Sequence, residues 1–247
     1  MAGLVTGDSM PMAGGGSNPD DALLYEINGI AKAAPNWADR AMEFIGEYGI
    51  ILGLAVLMLC AWWSVRKSDD APAGMAALLW APFAAGIALL VNIPIRGFVR
   101  RPRPFLDHEL EVLVKGKTDF SFVSDHATLA MALGVGLFVA NRKYGIVGIG
   151  LALLEGFCRV YMGVHYPTDV IGGFALGTAV ALLLAPLAMM LLTPLTRMIA
   201  GSRAGWLVRS ADARVPVVAA AGGGDGAALP GPGAGGQARH HDSDLAA

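Results

Sequence analysis

Five stretches without a charged side chain dominate this sequence: Tyr48 to Val65, Ala71 to Ile95, Ala127 to Asn141, Tyr144 to Leu154 and Val170 to Thr196. A helix needs about 20 apolar residues, within a range of about 17 to 25, to cross the hydrocarbon core of a bilayer. Three of the stretches reach that length alone. Ala127 to Asn141 and Tyr144 to Leu154 reach it only by drawing flanking residues such as His126 and Glu155 into their helices. Polar groups carried to a membrane boundary in this way are functional candidates. Composition agrees: 15% of the residues are charged, against roughly 25% in soluble domains. The expected fold is all-α, a polytopic membrane helical bundle of five to six helices with an N-terminal surface helix.

Spans are expected at about 48–65, 72–95, 124–141, 144–160 and 168–196, within a membrane domain covering 21–199. Residues 1–20, rich in Gly, Ser and Pro, read as a disordered N-terminus. Residues 200–247 read as a disordered Gly/Ala-rich tail, marked by Gly222 to Gly224 and Pro230 to Pro232. Between Ala22 and Glu47 apolar residues recur at helical spacing on either side of Pro35, as in amphipathic helices lying on a membrane surface. The N-terminus lacks the basic, apolar and small-residue order of a cleaved signal peptide, so the first span is expected to direct insertion.

Several features carry little functional weight. The net charge of −2 says little about partners, and no basic run suggests nucleic-acid binding. Cys60 and Cys158 fall in apolar surroundings and imply no disulfide. No acidic cluster points to a metal, and no cofactor is expected. His240 and His241 stand in the Gly-rich tail without the fixed ligand set that a metal site needs. The sequence is silent on oligomeric state. Gly173 and Gly177, four apart, read as helix-packing positions.

Charge near the span ends orients the chain. With five crossings, Arg66 and Lys67, Arg142 and Lys143, and Arg197, Arg203 and Arg209 all fall on one face, which the positive-inside bias makes cytoplasmic. The segment from Arg96 to Asp125 then lies outside, yet carries Arg96, Arg100, Arg101, Arg103, Lys115 and Lys117. Cations retained against the bias suggest a bound anion, and forked guanidinium groups hold phosphate especially well. Span parity brings this segment, including Ser121 to Thr128, onto the same face as Arg159 to Asp169.

These islands carry a pattern: Arg96, six residues, Arg103 and Pro104; then Ser124, Asp125 and His126; then Arg159, five residues, His165, three residues and Asp169. The order and spacing resemble the three-part signature of the type 2 phosphatidic acid phosphatase superfamily. Within it, the run Ser124 to Thr128 and the run His165 to Asp169 look most like bacterial undecaprenyl-diphosphatases of the bacitracin-resistance type. The resemblance covers about residues 22 to 195. Three positions depart from the usual pattern: Arg96 stands where Lys is common, Val123 where Pro is, and Cys158 where Ser is.

The resemblance implies a lipid phosphatase of the inner membrane, with an isoprenoid diphosphate as favoured substrate, phosphatidate or phosphatidylglycerol phosphate as runners-up, and the active site facing outside the cytoplasm. It implies His165 as nucleophile, forming a phosphohistidine, with Asp169 fixing its tautomer and His126 serving the leaving group and water. Arg96, Arg103, Ser124, Asp125 and Arg159 are the implied phosphate-binding set, with Pro104 supporting. Phosphoryl transfer rests mostly on positioning and charge neutralisation, and this set supplies three guanidinium groups. Glu155 lies outside the signature. It sits one turn before Arg159, where side chains meet, and is expected to pair with it and aim it at phosphate. Pro102, Phe105, Tyr161 and Tyr166 read as turn formers and interface anchors, and Arg100 and Arg101 suit a lipid headgroup as well as a catalytic role. The competing reading is a non-enzymatic membrane protein that holds anionic lipid.

Overall fold

A computed structural model describes residues 18–114, 116 and 118–209. The expectations for the first 17 residues, for Lys115 and Lys117, and for the tail beyond 209 with His240 and His241 lie outside these. The described residues all belong to one compact unit, Met1–Arg214, and every regular element among them is helical. In order these are α1 (Pro19–Ala33), α2 (Asn36–Phe44), α3 (Ile50–Val65), α4 (Ala71–Val99), the short α5 (Pro104–Asp107), α6 (Asp125–Ala140), α7 (Arg142–Tyr161), α8 (Pro167–Leu183) and α9 (Ala185–Ala200).

The N-terminal segment differs from expectation. Only α1 is a separate helix, starting at Pro19 behind an Asn18 cap, so Asp20 belongs to it and not to an unstructured N-terminus. Its inner face, Leu24, Asn28 and Ala31, is buried against the bundle. Asn28 donates to the carbonyls of Glu111 and Tyr161 and accepts from the Glu111 amide. After the break at Ala34 and Pro35, α2 runs through a π-helical turn, Ile45–Gly49, directly into α3. Asn36–Val65 thus forms one long apolar helix.

Among the described residues, three stretches are each long and apolar enough to cross a membrane: Asn36–Val65, Ala71–Asp107 and Arg142–Tyr161. The last expected span is not one straight helix. It breaks at Leu184, with α8 and α9 inclined by 52°, where Pro186 at the second position of α9 denies its amide to the preceding helix. The pair still traverses the bundle once. α8 begins beside Ser124, and α9 ends packed with α3 and the start of α4, where Thr196 donates to the Pro72 carbonyl.

α6, at 16 residues, is short for a span, and its position explains how it manages. It is the central helix, buried along most of its length against α4, α7 and α8. Small residues bring the backbones together. A side chain at Gly136 would strike Ala81 of α4, one at Gly134 would strike Gly148 of α7, and Gly173 and Gly177 of α8 lie against Ser124, Thr128 and Ala132. Close approach through small residues is how helices gain contact where lipid competes with apolar side chains. Asn141 alone links α6 to α7 and caps α7 by accepting from the Lys143 amide.

The bundle therefore has two distinct ends. One gathers Arg66, Lys67, Arg142, Lys143 and the residues after α9, where Arg66 stacks on Trp62 and the Trp62 indole donates to the Leu207 carbonyl. The other gathers the C-terminal turn of α4, α5, the start of α6 and the α7–α8 turn, and it holds nearly every signature residue.

Candidate active site

Local sequence sets each element in place. Arg100 adopts a left-handed conformation, φ 51°, that ends α4 at Val99. Arg96 consequently sits in the last turn of α4, not in the loop expected to begin there. Pro104 is buried at the first position of α5, with Arg103 extended before it. Ser124 caps α6, its hydroxyl accepting from the Ala127 amide at 3.4 Å. Pro167 starts α8 and places Asp169 in its first turn, where the carboxylate accepts from the Tyr166 amide at 2.9 Å.

His165 is 5% exposed and sits at the centre of these residues. Its Nδ1 lies 2.9 Å from the Ser121 carbonyl. A carbonyl only accepts, so Nδ1 carries the proton and Nε2 keeps its lone pair. Asp169 was expected to perform this orienting role directly, but its Oδ2 is 3.7 Å from Nδ1, beyond hydrogen-bonding distance. Asp169 instead accepts from the Ser121 hydroxyl, so Ser121 links the carboxylate to the imidazole. On the other ring edge, Arg103 Nη1 lies 3.4 Å from Nε2 and 2.9 Å from the Val164 carbonyl. Burial pushes the imidazole below its ordinary pKa, and the charges of Arg103 and Arg159 act in the same direction against Asp169. His165 is thus held neutral.

The arginines divide into two groups. Arg103 and Arg96 converge on one carboxylate that the signature does not include: Asp119 Oδ1 is 2.7 Å from Arg103 Nη2, and Oδ2 is 2.9 Å from Arg96 Nη1. Burial alone would raise the Asp119 carboxyl, but hydrogen bonding from Arg103 and the charges of Arg103 and Arg96 outweigh it and hold it below the usual range. Arg96 also pairs with Asp125, which accepts from Asn92 at 2.7 Å. Arg159, 1% exposed, is enclosed separately: its guanidinium meets Glu155 at 2.9 Å, Glu47 at 2.8 Å and the Gly46 carbonyl. The pairing expected of Glu155 is present. Glu47, from the π turn, is a second carboxylate on the same cation. Cys158 packs beside Gly46 in the apolar core.

Arg101 forms a further layer. It bonds Asp169 Oδ1 at 2.9 Å and Asp20 of α1 at 2.6 Å, and stacks 3.6 Å above the Tyr166 ring. Asp20 in turn accepts from the amide and hydroxyl of Thr168, at 2.9 and 2.6 Å. The N-terminal helix thereby caps α8 and fixes Arg101 against Asp169. His126 lies in the first turn of α6, half-buried, directly after the Asp125 that holds Arg96.

Sequence reasoning named the signature residues and missed Ser121 as a partner, Asp119, Asp20 and Glu47. Ser121 stood at the edge of a polar island already singled out. The others carried no local signal.

An all-helical membrane protein that gathers guanidinium groups around a neutral imidazole at one end of its bundle has the site of a membrane phosphatase. This chain belongs to the PAP2 superfamily, whose model matches residues 77–193. It is 32% identical over 145 residues to undecaprenyl-diphosphatase BcrC of Bacillus subtilis, an alignment covering 59% of this chain and 72% of that protein. It is 31% identical over 176 residues to phosphatidylglycerophosphatase B of Bacillus subtilis, covering 64% and 80%. Among solved structures, a transmembrane PAP2 type phosphatidylglycerolphosphate phosphatase from Bacillus subtilis aligns with a TM-score of 0.49 and 26% identity, over 69% of this chain and 88% of that one. The protein is a membrane lipid phosphatase, and the non-enzymatic alternative falls away.

Proposed function

We propose that this enzyme converts an isoprenoid diphosphate, with undecaprenyl diphosphate favoured, to its monophosphate through a phosphohistidine on His165. The observation that carries the mechanism is the state of His165: buried, protonated at Nδ1 by its bond to the Ser121 carbonyl, and with Nε2 turned toward Arg103. A neutral imidazole so oriented is a nucleophile at the ring nitrogen facing the guanidinium.

In the reaction, Nε2 attacks the terminal phosphorus and the bond to the bridging oxygen breaks. Arg103 and Arg96 exchange the Asp119 carboxylate for phosphate oxygens, which resemble it in charge and in their fit to forked donors. His126 protonates the departing lipid phosphate. It then takes a proton from water, whose oxygen attacks the phosphohistidine to release inorganic phosphate and regenerate His165. Asp169, held by Arg101 and Ser121, balances the positive charge that develops on His165. A carboxylate repels phosphate, so Asp125 acts by holding Arg96, while Ser124 acts chiefly as a cap that points α6 amides at the anion. Arg159, held by Glu155 and Glu47, braces the α7 end from which the turn to His165 departs, and Glu155 sets its direction. Pro104 fixes the approach of Arg103.

The site is assigned to the outer face of the inner membrane, because the opposite end collects the basic residues favoured on the cytoplasmic side. The catalytic unit is assigned to 21–199 together with Asp20, which caps α8 and holds Arg101. A second substrate, phosphatidylglycerol phosphate, is favoured by the match to phosphatidylglycerophosphatase B, which extends over 80% of that protein.

The deciding experiment is phosphate release by the purified enzyme from undecaprenyl diphosphate, phosphatidylglycerol phosphate and phosphatidate, with and without chelator. The highest kcat/KM is expected with the isoprenoid diphosphate, unaffected by chelator. Preference for a glycerolipid phosphate would replace the substrate assignment. Enzyme quenched in alkaline detergent without base-stable, acid-labile phosphate on the chain would remove the phosphohistidine.

A further inference from the structure

An apolar trough runs down the membrane-facing side of α4. At the site end, a cavity of about 500 Å³ is lined by Gly86, Leu89, Leu90 and Ile93 and terminates on Arg96 and Asp125. Gly86 and Leu89 also line the next cavity, about 560 Å³, which lies between α3 and α4 and is backed by Leu129 and Leu133 of α6. Met58 and Leu59 continue from there into a third, about 400 Å³, that reaches Met75 and Thr196 toward the opposite end. The walls are almost wholly hydrocarbon, and the charged residues among them stand at the upper mouth.

The space follows from sequence. α3 packs more on α7 than on α4, which it meets mainly near the end of the bundle where Val65 lies against Gly74. α4 presents Gly86 beside the cavities, where an added side chain would meet no atom within 4 Å, and Pro82 lies within the helix one turn below. Arg96 ties the trough to the chemistry, because its guanidinium meets the same Asp119 carboxylate as Arg103.

Length separates a specific occupant from ordinary bilayer lipid. From Arg96 to Gly86 the helix rises about 15 Å, and from Arg96 to Met75 about 30 Å, which is the full hydrocarbon thickness. A lipid anchored at the site end and confined to its own leaflet fills the trough to about Gly86. Only a chain longer than one leaflet uses the remainder.

We propose that this trough binds the apolar tail of the substrate and favours a chain that extends past the bilayer midplane, as a long polyisoprenyl chain does. The proposal rests on the lipid phosphatase reading above and deepens it by assigning the tail a place.

The test compares kcat/KM of the full-length enzyme and its Gly86→Phe and Gly86→Ala variants on undecaprenyl diphosphate and on the five-carbon isopentenyl diphosphate, which ends above Gly86. Gly86→Phe is expected to lower kcat/KM on the long substrate by at least about tenfold, because the ring blocks the path of the chain and removes its packing contacts there. It should leave the short substrate unchanged, and Gly86→Ala should leave both unchanged. Equal losses on both substrates from Gly86→Phe, or no loss on either, would overturn the trough as the tail site. Wild-type enzyme inactive on both diphosphates would instead overturn the substrate reading on which the proposal rests.

Discussion

Arg103 and Arg159 occupy equivalent places in the signature and are similarly buried, yet their surroundings differ. Arg103 faces His165 and shares its outer nitrogen with a half-exposed carboxylate, Asp119. Arg159 is shut between Glu155 and Glu47, with the Gly46 carbonyl completing its shell. One guanidinium can trade its partner for an incoming anion at modest cost, because Asp119 can return to water. The other cannot easily do so, because Glu155 is fully buried and Glu47 largely so, and removing one partner of a buried pair is expensive. Under the proposed mechanism a shared motif supports two jobs: direct contact with the transferred group at Arg103, and a fixed ion pair that braces the site at Arg159.

Four measurements would break or sharpen this contrast. The largest effect belongs to the group that both arginines serve: His165→Ala should lower kcat by at least about 10⁴-fold, as loss of a nucleophile does, and should abolish labelling of the chain by radioactive substrate. Arg103→Ala should follow, with kcat down about 10²- to 10³-fold, the usual cost of one donor to a developing charge; circular dichroism should show the helices intact. Glu155→Gln should be milder, lowering kcat about three- to tenfold because Glu47 still balances Arg159. A loss as large as that of Arg103→Ala would erase the distinction, and unchanged kinetics would remove Glu155 from the mechanism. Asp119→Asn should have the smallest effect and the opposite sign for binding. Without the resident carboxylate, inorganic phosphate should inhibit severalfold more tightly, since an ion pair of this exposure is worth up to about 1 kcal/mol.

The acidity of His165 adds a pH prediction. Its pKa is depressed, mainly by burial, and the neutral form is the active one. Activity should therefore persist as pH falls through about 6.5, the ordinary histidine value, and fail only below it. The same sign applies to folding: protonation of the unfolded chain near 6.5 precedes that of the native site, so the stability contributed by the neutral imidazole is complete above 6.5 and declines below it. An acid limb of kcat/KM above 6.5 would show that His165 is not buried as described.

Much of the site was legible because its members are tied to helix ends. Ser124 and Pro167 mark starts that the chain must obey locally, and parity of the spans put Arg103 and His165 on one face before any contact was known. Glu155 and Arg159 were legible as one turn of a helix. Asp20 was not: it lies 148 residues from the Thr168 it caps and 81 from Arg101, and no periodicity connects them. Ser121 was visible as part of a polar island, but its role depends on its carbonyl, and a backbone group has no sequence signature. The last span was read as continuous because hydropathy registers composition and is blind to the bend at Leu184.

By itself the sequence determined that the chain is a set of membrane helices with its chemistry at one end, since a backbone in hydrocarbon must bond to itself and a helix is the local way to do so. Only the tertiary structure decided which carboxylate holds which arginine, that Ser121 stands between Asp169 and His165, and that a trough runs down α4. Those outcomes depend on distances of a few ångströms between segments far apart in the chain, and electrostatic and packing energies are set by those distances.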